Sequence, residues 1–149
     1  TIHHKYYEKK YVNDCYDRIA ERFSQTRGYL WKSVKTFIAS IPDNSHVLEV
    51  GCGNGKNIAS VSDKCIRWAC DPCEKFVEIT RKKSVNAIKG CNLNLPYPSE
   101  SMDYVLSIAV VHHFASVDRR KKAIDELARV LKIGGKMLSQ VWSMEQPEK

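Results

Sequence analysis

The chain has 149 residues, of which 43% are hydrophobic and 28% are charged, and its formal net charge is +7 at pH 7. This length suits one domain with its own core, and this composition excludes a disordered or fibrous chain. No run of about 18 apolar residues occurs, so we expect no membrane-spanning helix and no membrane partner. The excess of positive charge favours an anionic partner, with nucleic acid as the first candidate.

Cysteine usage bears on the cellular compartment. The segment Thr1 to Tyr11 lacks the apolar stretch of a secretory signal, so we expect reduced thiols and a cytoplasmic protein, with the nucleus as the alternative. Cys70 and Cys73 have the spacing of zinc ligands, but no second such pair follows, and no metal site is predicted. The six cysteines are Cys15, Cys52, Cys65, Cys70, Cys73 and Cys91.

Two helices are predicted first along the chain. Apolar residues recur at helical spacing over about 6–23 and again over about 30–41, where Pro42 ends the pattern. From His46 onward, short apolar runs alternate with helical patterns. The predicted strands are 46–50, 66–70 with Asp71 at its end, 86–89, 104–109 and, after a turn at Gly134–Gly135, 136–142. The predicted helices between them begin at about 56 and cover about 73–83 and 117–131.

This alternation of strands and helices predicts an α/β fold with a parallel sheet between two helical layers. Right-handed crossovers then give a doubly wound, Rossmann-like sheet of strand order 3-2-1-4-5. We therefore interpret residues 1–149 as one domain, in which N-terminal helices at about 6–41 precede a core at about 46–142.

A glycine-rich loop follows the first predicted strand. It reads Glu49-Val-Gly51-Cys52-Gly53-Asn54-Gly55 and precedes a helix. Glycines allow positive φ and a close approach of the backbone to a ligand, and the helix start behind them offers free N–H groups. A dinucleotide site would place its third glycine where Lys56 stands. The loop, with an acid two residues before its first glycine, therefore favours S-adenosylmethionine (SAM).

Asp71 strengthens this interpretation. An acidic residue at the end of the second strand of this fold accepts hydrogen bonds from the ribose hydroxyls of the cofactor. The alternative role is a helix N-cap, because Asp is a good cap and Pro72 follows it.

Basic residues cluster at Lys9–Lys10, Arg81–Lys83 and Arg119–Lys122, each on a predicted helix. Any single cluster fits a solvated helix face. Three clusters together with the net charge favour RNA as the partner.

Several further segments resemble one family of enzymes. These segments are Phe23–Arg27, Trp31, Gly51–Lys56, Asn92–Pro96, Ser107–His113, Arg119–Arg120 and Trp142–Gln146. Because of these segments, residues from about 11 to 146 resemble the eukaryotic tRNA wobble-uridine carboxyl-methyltransferases and the matching domain of the AlkB-homologue fusion protein.

The resemblance implies a reaction and two partners. These enzymes methylate the carboxylate of 5-carboxymethyluridine at the wobble position of certain tRNAs, with SAM as the methyl donor, and the product is the methyl ester. The implied partners are tRNA and a small zinc-binding activator protein that forms a heterodimer with the methyltransferase. A carboxylate of pKa near ~4 is ionised at neutral pH, so alignment suffices and no general base is needed.

Candidate catalytic residues are Arg27, His112 and His113. We expect Arg27 or His113 to hold the carboxylate or the uracil, by a bidentate or a single hydrogen bond. Since adjacent residues face different ways, at most one of the two histidines should point into the pocket. A packing or capping role is the alternative for each histidine.

The remaining assignments concern the cofactor and the RNA. Ile108, at the end of the fourth strand, is assigned to the cofactor site. Arg119 and Arg120 are assigned to phosphates, with an exposed helix start as the alternative, and Trp142 is assigned to the RNA substrate.

The chain departs from the family at Cys91, where the family position often has an acid that contacts the adenine amino group. A thiol is a poor acceptor, so we expect either weaker SAM binding or a substitute role for Asn92. The sequence also ends just after the fifth predicted strand, where this fold usually adds two more strands, so that strand is expected to be an exposed edge.

These departures keep two alternatives open. The chain could be a catalytically silent paralogue that binds RNA or a partner, or a small-molecule methyltransferase. The segments at 23–27 and 142–146 argue against the small-molecule alternative. Adenine amino methylation is disfavoured because Ala109–His112 replaces the Asn/Asp-Pro-Pro-aromatic loop. Pyrimidine C5 methylation is disfavoured because Cys73 follows the second strand, far from the acceptor.

Overall fold

A computed structural model describes residues 2–14, 16 and 29–142 of the chain. Arg27, the segment at 23–27 and the segment at 143–146 lie outside the described residues. The helices are α1 (Ile2–Glu8), α2 (Lys32–Ala39), α3 (Lys56–Ala59), α4 (Glu74–Arg81) and α5 (Val117–Val130). The strands are β1 (His46–Val50), β2 (Ile66–Asp71), β3 (Asn86–Lys89), β4 (Met102–Ile108) and β5 (Leu131–Gln140).

The five strands form one parallel sheet of order β3-β2-β1-β4-β5, as the sequence predicts. Strand β1 lies at the centre, with Val50 beside Cys70 of β2 and Glu49 beside Leu106 of β4. The sheet reverses its order at β1, so the loops after β1 and β4 diverge and leave a crevice at the carboxyl ends of the strands.

Each face of the sheet is covered by helices because β1 is apolar on both sides. Leu48 and Val50 belong to one buried cluster, which includes Leu127 of α5. Val47 belongs to the other, which includes Ile58 of α3 and Val77 of α4. Full burial of one such side chain contributes about 1.5–3 kcal/mol, so the two clusters hold the strand ends that carry the site in fixed positions.

The N-terminal helix begins earlier than its apolar pattern indicates. It starts at Ile2, and a π-helical turn over Lys9–Asn13 follows it. The π turn widens the helix by one residue per turn and rotates the residues after it relative to those before it. Helix α2 has the predicted position but is shorter, Lys32–Ala39.

The fifth strand begins earlier than predicted. Leu131 pairs with Met102, and the next paired residue, Lys136, lies opposite Tyr104. Residues 132–135 therefore bulge out of the ladder, and the predicted turn at Gly134–Gly135 is inside this bulge. The strand ends at Gln140, two residues before the predicted end.

Helices of the described part of the chain are all too short or too polar to cross a lipid bilayer.

Candidate active site

One cavity of about 680 Å³ lies at the carboxyl ends of β1, β2 and β4. Twelve residues that the sequence assigns to the site line it: Glu49, Gly51, Cys52, Gly53, Asn54, Asp71, Cys91, Asn92, Ile108, His113, Arg119 and Trp142. Gly55, His112 and Arg120 are not among the lining residues. The cavity therefore joins the glycine loop to the loop after β4.

The glycine loop is held in a conformation that requires glycine. Gly51, Gly53 and Gly55 have φ values of +73°, +53° and +78°. A Cβ built at Gly51 would lie 2.4 Å from Cγ2 of Val110, in the loop after β4. At this point the two loops that border the cavity touch each other.

Helix α4 supports the same loop from behind. The Thr80 hydroxyl donates to the Gly53 carbonyl at 3.0 Å, and Lys83 Nζ donates to the Asn54 carbonyl at 2.7 Å. A Cβ at Gly55 would lie 2.7 Å from the Thr80 hydroxyl oxygen, which explains why Gly55 packs on α4 instead of lining the cavity. The carbonyls of the loop are thus bonded on the α4 side.

Glu49 lies at the floor of the cavity and is almost completely buried. Its carboxyl accepts hydrogen bonds from Asn57 Nδ2 at 2.8 Å and from the Ile58 amide at 3.2 Å. Burial raises the pKa of Glu49 to about 8, although these two bonds oppose the shift. At neutral pH the group is therefore mainly protonated, and it ties β1 to the start of α3.

Asp71 bridges the glycine loop and helix α4. Its carboxylate accepts from the Gly53 amide at 3.0 Å and from the Cys73 amide at 2.9 Å. The second bond closes a turn of the Asx kind before α4, and the N-cap of that helix is Cys73, which has no side-chain cap bond, so Asp71 is not the N-cap that the sequence offered as the alternative to ribose binding. Each carboxylate oxygen can accept more than one hydrogen bond, so ribose binding by Asp71 stays a prediction that these two bonds allow.

Cys91 and Asn92 form the wall near the third strand. Cys91 is an exposed thiol whose sulfur accepts from the Leu93 amide at 3.5 Å. Asn92 is buried, and its Nδ2 donates to the Ala123 carbonyl at 3.1 Å. Its Oδ1 has no hydrogen-bond partner among the described residues. An adenine amino group would satisfy this buried acceptor, so Asn92 is suited to the substitute role.

His113 faces the cavity, whereas His112 does not line it. Tyr16 OH lies 3.3 Å from His113 Nε2, and the ring of Tyr16 also packs against Phe76 and edge-on against His113. Burial and the adjacent His112 lower the pKa of His113, although a hydrogen bond with the backbone of Ala109 opposes them. His113 is therefore neutral at pH 7.

The backbone beside His113 is strained. Ala109, which follows β4, has a φ of +58°, a value that a residue with a side chain rarely adopts. Its amide donates to the Gln140 carbonyl at 2.7 Å, so β5 holds this conformation in place.

Arg119 has a partner within the domain. Its guanidinium donates to both carboxylate oxygens of Glu8, and Glu8 also accepts from the Ala115 amide at 2.9 Å. Burial alone raises the pKa of Glu8, but the bonds from Arg119 and Ala115 outweigh it, and the pKa lies below its usual value. Arg120 donates to the Phe114 carbonyl at 2.8 Å. Contact of either arginine with a phosphate stays a prediction.

Aromatic side chains stand at the mouth of the cavity. Trp142 packs edge-on against Trp31, with 5.6 Å between the ring centroids, and both line the cavity. Trp142 is about half exposed, and so offers a surface on which a base can stack.

The sequence did not assign the N-terminal helix to the site. Lys5, Glu8, Val12, Asn13 and Tyr16 all line the cavity. Glu8 and Arg119 are 111 residues apart, and no local pattern marks such a pair. Tyr16 lies within the apolar pattern predicted over about 6–23, which assigns it only a packing role.

No three His, Cys, Asp or Glu side chains of the described residues gather as metal ligands would. Cys70 and Cys73 are buried free thiols, and burial raises the pKa of Cys70 to about 12.

The sheet order, the glycine loop and Asp71 at the end of β2 define a SAM-dependent methyltransferase fold of the Rossmann-like class. A family model described as a methyltransferase domain matches residues 48–139. The chain belongs to this methyltransferase domain family.

Curated relatives agree with the resemblance seen in the sequence. The chain is 43% identical over 141 residues to a tRNA (carboxymethyluridine(34)-5-O)-methyltransferase of Arabidopsis thaliana, covering 95% of this chain and 35% of the relative. It is 41% identical over 140 residues to the Schizosaccharomyces pombe protein of the same name, covering 94% and 60%. The chain thus spans about a third and three fifths of the length of these two relatives.

A solved structure shares the fold. It is the methyltransferase in a complex with the Trm112 methyltransferase activator of Haloferax volcanii, with a TM-score of 0.70, 22% identity and coverage of 82% of this chain and 57% of that chain.

Proposed function

We propose that this domain uses SAM to methylate the carboxylate of 5-carboxymethyluridine at the wobble position of tRNA. The observation that carries the proposal is a single cavity that holds the glycine loop and Asp71 at one end and His113 and Trp142 at the other. The names of the two curated relatives support the choice of acceptor.

The residues on the β1–β2 side of the cavity fit SAM. The positive φ values at Gly51 and Gly53 require glycine, so the loop presents its backbone at the cavity, and Asp71 offers a carboxylate to ribose hydroxyls. The Oδ1 of Asn92, which no other described residue bonds, offers an acceptor to the adenine amino group. SAM, when bound there, supplies a methyl group on a positively charged sulfur that a nucleophile can attack.

The residues on the β4 side are suited to a carboxylate acceptor. A neutral His113 has one ring N–H, so it can donate to a carboxylate only in place of its bond with the Ala109 backbone. The Tyr16 hydroxyl, 3.3 Å from His113 Nε2, is the other donor that can orient a carboxylate without neutralising its charge. Lys5 and Lys122 also line the cavity and attract an anion. Trp142 and Trp31 can hold the uracil or a neighbouring base by stacking.

No side chain has to accept a proton in this reaction. A substrate carboxylate is ionised at neutral pH and loses no proton when it attacks the methyl group. The domain therefore contributes alignment of the two reactants and exclusion of water. Arg27, outside the described residues, remains a candidate for holding the acceptor.

We further propose a small zinc-binding activator protein as a partner in a heterodimer. The Haloferax methyltransferase that shares this fold was solved in complex with an activator, which supports this expectation.

The test is transfer of labelled methyl from SAM to tRNA that contains carboxymethyluridine, with and without the activator. We expect incorporation that mild base removes, because a methyl ester is base-labile, and no incorporation into tRNA with unmodified uridine at the wobble position. SAM binding measured by calorimetry distinguishes the alternatives. Absence of both SAM binding and methyl transfer would favour the silent RNA- or partner-binding module, because the exposed thiol of Cys91 is a poor acceptor for the adenine amino group.

A further inference from the structure

The outer side of the N-terminal helix carries a compact group of exposed aromatic rings. Tyr6, Tyr7 and Tyr11 are 60%, 52% and 55% exposed. The rings of Tyr7 and Tyr11 lie 4.6 Å apart, and Lys10 Nζ lies 5.8 Å from the ring centre of Tyr6 and 5.2 Å from that of Tyr11. We call Tyr6, Tyr7, Lys10 and Tyr11 the tyrosine–lysine face.

The charge around this face is positive. Lys5, Lys9 and Lys10 are all exposed. The two acids among the described residues of this segment are less exposed: Glu8 is buried against Arg119, and Asp14 is partly buried. An exposed surface of rings and cations, with no fully exposed acid among the described residues of this segment, suits a partner that has flat apolar groups and negative charges.

The face is fixed next to the cavity. Glu8, on the opposite side of the same helix, is bonded to Arg119 and to the Ala115 amide, at the start of α5. Lys5 and Val12 of the same segment line the cavity. A polymeric ligand with one residue bound in the cavity would therefore pass close to Tyr6, Tyr7 and Tyr11.

We propose that the tyrosine–lysine face binds unpaired nucleotides of the RNA that flank the residue in the cavity. The tyrosine rings stack on bases, and Lys5, Lys9 and Lys10 contact phosphates. Stacking accepts any base and needs unpaired ones, so this surface selects a single-stranded loop over a duplex. The inference rests on the proposed function, because it takes the acceptor to be a residue of RNA.

The experiment compares three forms of the full chain. One has Tyr6→Ala, Tyr7→Ala and Tyr11→Ala together, one has Phe at the same three positions, and one is unsubstituted. Alanine is a good helix former and phenylalanine keeps the ring, so the helix is retained in both variants. The probes are a fluorescein-labelled anticodon stem-loop RNA and a fully paired hairpin of equal length, and affinity is read from fluorescence anisotropy. SAM binding by calorimetry checks that the site is intact.

Stacking of one or more bases predicts about tenfold to hundredfold weaker binding of the stem-loop by the alanine variant. The phenylalanine variant should bind as the unsubstituted chain does, and the paired hairpin should bind all three forms alike. Equal binding of the stem-loop by the alanine variant and the unsubstituted chain, with SAM binding intact, would overturn the inference and leave the proposed function standing. Failure of the unsubstituted chain to bind either RNA would overturn both.

A second variant set tests the lysines. Replacing Lys5, Lys9 and Lys10 by Gln should reduce the slope of log affinity against log salt by about 0.7 for each phosphate that is no longer neutralised. Lys64→Gln is the matched control, because Lys64 pairs with Asp43 beside the amino ends of the strands. An unchanged slope in the triple variant would refute the role of these lysines at phosphates.

Discussion

Replacement of Gly51 by alanine should destabilise the domain and weaken SAM binding together. The new Cβ meets Val110 Cγ2 at 2.4 Å and Cγ1 at 3.2 Å, well inside normal contact distance. The residue also keeps a φ of +73°. Left-handed backbone costs an alanine about 1–2 kcal/mol, and forcing a carbon into a packed contact costs about 1–3 kcal/mol. We expect a loss of about 2–5 kcal/mol in the free energy of unfolding.

Gly134→Ala separates the cost of the left-handed backbone from the cost of the clash with Val110. Gly134 has a similar φ of +82°, but a Cβ there has no atom within 4 Å. The Gly134→Ala variant should therefore lose only the backbone contribution, about 1–2 kcal/mol of the free energy of unfolding. The double variant Gly51→Ala/Val110→Ala should recover part of the loss, because the clashing methyl groups are gone.

Urea unfolding gives the free energies, and calorimetry gives the affinity for SAM. A Gly51→Ala variant that is as stable as Gly134→Ala, or a double variant in which Val110→Ala restores no stability, would contradict these expectations. SAM binding should be weaker in Gly51→Ala but not in Gly134→Ala, since Gly134 lies in the bulge within β5 and does not line the cavity.

Three further predictions address the remaining contacts. Asp71→Asn should weaken SAM binding at least tenfold, because it removes a charged acceptor. The control Asp103→Asn, at the other end of the sheet, should leave SAM binding unchanged. Calorimetry gives the SAM affinity of both variants. Tyr16→Phe should slow methyl transfer by about fivefold, because one hydrogen bond of about 1 kcal/mol is lost, and should leave the SAM affinity unchanged. Single-turnover experiments measure the rate of methyl transfer. Glu8→Gln should cost about 1–3 kcal/mol at pH 7. Because the pKa of Glu8 in the folded state lies below 4.5, its ion pair with Arg119 stabilises the fold above that pH, and this stabilisation is lost as the pH falls through the folded pKa. In acid, amide exchange should therefore be equally fast in the variant and in the unsubstituted chain.

Local patterns were sufficient for the sheet and for half of the cavity. Strand β1 and the glycine loop adjoin in sequence, so hydrophobic pattern and glycine spacing predict both. Asp71 was found for the same reason, because the end of a predicted strand has a known place in this fold.

Contacts between distant segments had no such signal. The bond between Tyr16 and His113 joins residues 97 apart, and the pair of Glu8 and Arg119 depends on where the N-terminal helix docks. The bulge within β5 was missed because Leu131 looks like the last residue of an amphipathic helix, and only its pairing with Met102 assigns it to the sheet.

Glu49 places one protonated carboxyl at the floor of the cavity. With a pKa of about 8, its carboxyl is mainly neutral at pH 7 when no ligand occupies the cavity. A cationic ligand near it favours the ionised form, so occupation of the cavity and release of this proton are thermodynamically linked. The affinity for such a ligand rises with pH up to about 8, and calorimetry in buffers of different ionisation enthalpy counts the protons released. The domain would thus exchange a proton for a positively charged cofactor and keep the buried floor of its cavity close to electrically neutral.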